Sequence, residues 1–146
     1  MKVLIKQIDR ESEELVLIRC HEVSEEVKEI AAFVRSRSGS IMGIRDRIEH
    51  RIPITDILYI ESVDGKTFLY TDDWVYESSS RIYELEEMLK TKHFLRISKA
   101  MLINLMKISS VKPAFNGRFS AVLRSGEEVI ISRNYVKSFK NALRGE

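Results

Sequence analysis

Turn-forming residue pairs cut the chain between Ile41 and Ser132 into short apolar pieces, and this limits its fold more than any other feature. Asp64-Gly65, Asn116-Gly117 and Ser125-Gly126 are connections that supply the positive φ angles of tight β-hairpins. Arg45-Asp46, Pro53-Ile54-Thr55-Asp56 and Asp72-Asp73 are further turn signals. The pieces between them read as strands: Ile41–Arg45, Arg47–Ile52, Ile57–Glu61, Lys66–Thr71, Trp74–Glu77, Met106–Ala114, Arg118–Arg124 and Glu127–Ser132. Two stretches have helical spacing instead. Ser78-Ser79-Ser80 caps Arg81–Lys90, where Ile82, Leu85, Met88 and Leu89 share one face. A last helix opens at Ser132-Arg133-Asn134-Tyr135 and runs through Leu143, with Tyr135 or Val136, Phe139 and Leu143 on its buried face.

The first forty residues have a different texture. Lys2–Ile8 and Glu14–Cys20 are apolar runs around the charged turn Asp9–Glu13, which predicts a two-stranded hairpin. Ser24 then starts a helix through Val34, with Glu25 and Glu26 in the first turn where the macrodipole favours acids. Arg35-Ser36-Arg37-Ser38-Gly39-Ser40 is polar and small and marks the boundary. The expected organisation is therefore a β-β-α segment over residues 1–40, followed by a mainly β domain over residues 41–146. Forty residues are too few for a phospho-acceptor receiver module.

Several function classes fall away on composition. No apolar run reaches the roughly 18–20 residues of a membrane span, and the charged N-terminus does not read as a signal peptide. The single cysteine, Cys20, permits no internal disulfide and suits a reducing cytoplasm; it reads as buried strand filler. His21, His50 and His93 lie in unrelated contexts, so no zinc spacing exists and no cofactor is expected. There is no glycine-rich phosphate loop, nucleophile elbow or His/acid cluster, which argues against an enzyme. Asp72-Asp73 reads as a turn former.

The charge distribution points elsewhere. From Lys90 onward twelve basic residues face three acidic ones, a formal +9, while the preceding residues carry −7. Such polarity fits a surface that meets a polyanion. Within this basic part, Phe94–Asn104 sets Arg96, Ser98 and Lys99 on a short connection between apolar anchors Phe94, Ile97, Leu102 and Ile103. Two more tips have contacting chemistry: Lys66-Thr67 after Asp64-Gly65, and Arg133-Asn134 with Lys137 at the last helix. Arginine and lysine can reach guanine O6/N7 or phosphate, and asparagine can pair with adenine.

From about Ile41 to Leu143 the chain resembles the LytTR DNA-binding domain of bacterial transcription regulators. The resemblance lies in Asp56-Ile57-Leu58-Tyr59-Ile60-Glu61, in Ile82–Leu89, and in Phe94-Leu95-Arg96-Ile97-Ser98-Lys99 leading to Leu102-Ile103-Asn104. It continues in Gly126 and Ile131-Ser132-Arg133-Asn134-Tyr135. It implies a mainly antiparallel β fold with short helices that sends loops, not a helix-turn-helix, into successive major grooves at promoter direct repeats. By position it makes Lys99 and Arg133 base readers and puts Lys66 and Thr67 in a third contacting loop. Arg96, Ser98, Asn134 and Lys137 would position the DNA backbone or brace loops. One departure stands out: the family usually has His where this chain has Ser98.

The expectation is thus a cytoplasmic transcription regulator whose partner is double-stranded DNA. A homodimer and a small membrane-protein regulator are further candidate partners, with residues 1–40 as the docking or dimerisation piece, and no small-molecule substrate is expected. Two other classes stay open. One is a protein–protein adaptor on the same fold, and the other is an RNA-binding anti-terminator, for which no exposed aromatic pair is evident on one strand.

Overall fold

A computed structural model describes residues 1–37 and 39–145. After helix α1 (Glu25–Arg37) the chain forms two antiparallel β-sheets and two further short helices. The first sheet comprises β1 (Ser40–Arg45), β2 (Ile48–Pro53), β3 (Tyr59–Val63), β4 (Lys66–Tyr70), β5 (Val75–Ser78), β6 (Phe94–Ser98) and β7 (Met101–Asn104). Its seven strands run in the order β2-β1-β5-β4-β3-β7-β6. A second sheet of three strands, β8 (Ile108–Pro113), β9 (Phe119–Leu123) and β10 (Glu128–Ile131), packs beside helix α3 (Val136–Leu143). Helix α2 (Ile82–Leu89) covers the other face of the large sheet.

The central strands are buried on both faces, and this explains their unbroken apolar runs. Leu102 and Ile103 are neighbours on β7, so their side chains point to opposite faces. Leu102 joins Ile57, Ile60, Leu69, Leu85 and Leu89 in one core, under α2. Ile103 joins Leu58, Tyr59, Ile97, Leu123, Ile131 and Phe139 in the other, between the two sheets. Asn104 is buried at the end of β7, where its amide donates to Ile57 O at 2.9 Å and its carbonyl accepts from Met106 N at 3.1 Å. Both ends of that amide are thereby satisfied.

Most strands lie within two residues of the sequence reading, and the departures are physical. The β1–β2 turn centres on Asp46 and Arg47, both at positive φ (53° and 65°) without a glycine. The register is set by the neighbouring Gly43, where a Cβ would lie 2.5 Å from Ile52 Cδ1 and 2.7 Å from Tyr76 Cβ. Arg45 offsets some of the turn's strain by lying 3.7 Å above the Trp74 ring. Helix α2 begins one residue later than expected, and the Glu84 carboxylate, not a serine, accepts the Arg81 N–H at 3.0 Å. Phe94–Asn104 is a hairpin whose flanks are strands, with the turn at Lys99-Ala100.

The N-terminal segment differs most. Ser24 does cap α1, its Oγ accepting Val27 N–H at 3.3 Å, but the helix continues to Arg37 through most of the expected boundary; Ser38 lies outside the described residues. The expected hairpin is absent: Lys2–Ile8 and Glu14–Cys20 form no strand and pair with nothing in a ladder. A lone two-stranded ribbon is marginal in water, and no part of the β domain covers this one. Cys20 is consequently exposed, contrary to the expectation of a buried strand position. No helix among the described residues is long and apolar enough to cross a membrane.

Candidate nucleic-acid interface

Antiparallel pairing of β3 with β4 and β7, and of β7 with β6, brings the β3–β4 and β6–β7 turns to the same end of the large sheet. Ser62 N–H donates to Ala100 O at 2.8 Å, tying the end of β3 to the β6–β7 turn. Ser132 N–H donates to Ile97 O at 2.8 Å and ties the segment before α3 to β6. The three tips singled out in the sequence are therefore joined in series by backbone hydrogen bonds.

At the first tip, Asp64 (φ 51°) and Gly65 (φ 79°) make the tight turn that Asp-Gly favours. Lys66 is exposed beyond it, its Nζ 4.0 Å from Glu77 Oε1. Thr67 is 3% exposed and packed between Ser62 and Ser78 on the adjoining strands. Its side chain points into the sheet, so it supports this tip and offers no reading group, contrary to the expectation.

The second tip is held from beneath. Arg96 donates from Nε to Ser98 O at 2.9 Å, from Nη2 to Lys99 O at 2.6 Å and from Nη1 to Glu86 Oε1 at 2.7 Å. A planar guanidinium fork can serve all three acceptors at once, which an ammonium cannot. Ser98 Oγ accepts Ala100 N–H at 3.2 Å and closes the turn from the other side. Arg96 and Ser98 are thus committed to protein groups, and Lys99 alone projects from this tip, exposed.

The third tip is a single 3-10 turn, Arg133–Tyr135, with Tyr135 N–H donating to Ser132 O at 2.8 Å. Arg133, Asn134 and Lys137 are exposed there. Beside it lies the β8–β9 connection, where Asn116 (φ 59°) and Gly117 (φ 74°) turn the chain. A Cβ on Gly117 would sit 3.1 Å from Arg133 Cδ, so the absent side chain makes room for the arginine stem. Asn116, Arg118, Ser132, Arg133 and Asn134 line one concave, polar hollow.

A family model, the LytTr DNA-binding domain, matches residues 48–144. The chain belongs to the LytTR DNA-binding domain family. The LytTr DNA-binding domain of a Bacillus cereus protein superposes with a TM-score of 0.69 at 21% identity, over 72% of this chain and 96% of that one, and shares its fold. The Sensory transduction protein LytT of Bacillus anthracis is 31% identical over 93 residues, 64% of this chain and 38% of that protein. The Transcriptional regulatory protein YpdB of Escherichia coli is 32% identical over 114 residues, 77% of this chain and 46% of that one. The chain thus spans less than half the length of these two relatives. An uncharacterized HTH-type transcriptional regulator of Staphylococcus aureus matches at 27% identity over 136 residues, 92% of each chain.

Within this LytTR domain three polar residues near the tips escape a reading of the sequence alone. Arg118 and Asn116 reach the third tip only because the second sheet packs there, and Arg81 Nη1 lies 3.5 Å from Gly65 O at the first. Asn116-Gly117 declares a turn; its neighbourhood is tertiary and has no signature in local sequence. The Asp72-Asp73 pair is the β4–β5 turn at the opposite end, held by Thr71 Oγ1 accepting Trp74 N–H at 3.1 Å.

Proposed function

We propose that this chain is a sequence-specific regulator of transcription that binds double-stranded DNA in the cytoplasm. It presents the β3–β4, β6–β7 and Ser132–Asn134 tips to successive major grooves. The observation that carries the reading is the hydrogen-bonded series Ser62–Ala100 and Ile97–Ser132, which holds exposed Lys66, Lys99 and Arg133 at one end of a rigid sheet. In this reading Arg133 and Lys99 meet base edges, Arg133 with the bidentate geometry that suits guanine O6/N7. Lys66 and Lys137 neutralise phosphates, and Asn134 meets either an adenine edge or the backbone. Arg96 and Ser98 hold the turn that aims Lys99. The LytTR domain is the part from Ser40 onward, and residues 1–37 form a separate appendage.

The test is an anisotropy titration against the upstream region of the protein's own operon, at two salt concentrations with excess random DNA. Tight binding that survives the competitor is expected. Lys99→Ala and Arg133→Ala should each weaken it by about 1–3 kcal/mol without loss of cooperative unfolding. Affinity equal to that for random DNA would leave the scaffold as a protein–protein adaptor. Loss of cooperative unfolding in either variant would make that residue structural.

A further inference from the structure

The N-terminal arms carry apolar surface that nothing among the described residues covers. Residues 1–23 contain one organised feature, a turn in which Asp9 Oδ1 accepts from Ser12 N at 3.0 Å and from Ser12 Oγ at 2.7 Å. The two arms leaving this turn make no backbone hydrogen bond to each other or to the β domain among the described residues. Val3, Leu4, Ile5, Leu15, Val16 and Leu17 are between 63% and 95% exposed. Together these six side chains offer an area on the order of the ~800 Å² per partner that a stable interface buries.

The arms are complementary to one another. In the antiparallel register that sets Ile5 against Leu15, Leu4 against Val16 and Val3 against Leu17, Lys6 faces Glu14. Residues opposite each other share a face, so Val3, Ile5, Leu15 and Leu17 form one contiguous apolar patch, bordered on the turn side by Gln7 and Glu13. Leu4 and Val16 lie on the other face with the Lys6–Glu14 pair. A ribbon of this kind is amphipathic and needs a second ribbon against its apolar face. The S. aureus relative is aligned over 92% of this chain, too much to leave the second arm outside the match. The arm is therefore shared by a protein of similar length and is not an isolated tail.

We propose that two copies of this chain dimerise by exchanging these arms. The first arm of each copy pairs with the second arm of the other, and the two resulting ribbons stack on their apolar faces. Exchange satisfies both arms with surface already present in the sequence, and it leaves the tips at the far part of the chain free. It is independent of what those tips bind.

The experiment is sedimentation equilibrium of the full chain and its charge variants. Wild type is expected as a dimer at micromolar concentration, and Ile5→Asp with Leu15→Asp as a monomer whose β domain unfolds as in wild type. Lys6→Glu alone and Glu14→Lys alone should each dimerise roughly tenfold more weakly, because like charges then face each other in both ribbons. An equimolar mixture of the two single variants should regain wild-type affinity as a heterodimer. Two intact hairpins stacked without exchange would give no such recovery, so its absence overturns the proposal. A wild-type chain that stays monomeric to about a hundred micromolar overturns it also, as does a monomer that co-sediments with phosphatidylcholine–phosphatidylglycerol vesicles.

Discussion

Arg96 tests whether the β6–β7 turn is aimed from within the protein or stands on its own. Replacing it by alanine removes the donors to Ser98 O, Lys99 O and Glu86 Oε1. The Arg96 side chain is 18% exposed and that of Glu86 41%, so solvent screening reduces the ion pair and the two carbonyl bonds dominate. Hydrogen bonds from a charged donor contribute about 1.5–3 kcal/mol each, and carbonyls freed at a surface turn regain water, which leaves a net cost of about 2 kcal/mol. For a domain of this size that lowers the melting temperature by on the order of 10 °C. Lys99 then sits on a loosened turn, and specific DNA affinity should fall roughly tenfold if, as proposed, Arg96 acts on binding only through that turn. Arg96→Lys should recover little, since one ammonium cannot bridge both carbonyls and the carboxylate. The distinguishing readout is the salt dependence: the cations that meet phosphate are all still present, so the slope of log affinity against log salt should match wild type. A slope reduced by about one, with rescue by lysine and no thermal destabilisation, would mean that Arg96 binds phosphate and that the bracing role is wrong.

Other consequences are smaller in scope. Gly117→Ala forces a side chain into φ 74° and to 3.1 Å from Arg133 Cδ, so it should cost about 1–2 kcal/mol in urea denaturation and weaken specific binding more than binding to random DNA. An unchanged ratio of the two affinities would separate Gly117 from the orientation of Arg133. Thr67→Val keeps the shape of a buried side chain and should change DNA affinity less than about twofold. A tenfold loss would return Thr67 to the reading set. Burial, then the nearby Glu127, holds the Tyr59 hydroxyl well above its usual range, and burial, then Glu61, raises that of Tyr70. The unfolded chain ionises these phenols near pH 10 while the folded one keeps them neutral, so stability is full below about pH 10 and falls above it. The urea midpoint should drop as pH rises from about 10 to about 11.5, and Tyr59→Phe should shrink that drop.

Local chemistry made some of this structure readable and left the rest to packing. Asp64-Gly65 declares its hairpin because positive φ is nearly free there, whereas Asp46 and Arg47 hide theirs, since Gly43 and the Tyr76 contact fix the register. Ile82, Leu85, Met88 and Leu89 announced α2 by spacing; three of them are buried, and Met88 is exposed instead. Leu102-Ile103 looked like an anchor beside a loop and is a strand buried on both faces, a distinction that composition cannot make. The arms misled for the reverse reason: their apolar runs satisfy every local rule for a hairpin, but pairing needs a surface to cover one face. At the site, Lys99 and Arg133 are exposed on the tips, and the base-reading role that the resemblance gave them is a proposal. Thr67 and Lys66 are adjacent in sequence yet point to opposite faces, so treating them as one contacting pair ignored the period of two.

That last distinction bears on how such a site can be specific. Loops are ordinarily the mobile part of a fold, and ordering them on a ligand costs affinity. Here the polar residues divide into two sets. Arg96, Ser98 and Thr67 face inward and tie down the tips, while Lys66, Lys99 and Arg133 face outward. The backbone of each tip is ordered on folding, so binding has only the exposed side chains left to order. Ser98 fits the inward set: its hydroxyl takes the Ala100 N–H, and a histidine at this position could extend past the turn as serine cannot. With serine there, the tip has a single outward side chain, Lys99. A lone flexible cation discriminates bases less sharply than a planar fork. In the proposed reading, discrimination then rests more heavily on Arg133, the outward side chain with that fork, and on Gly117, which leaves room for its stem.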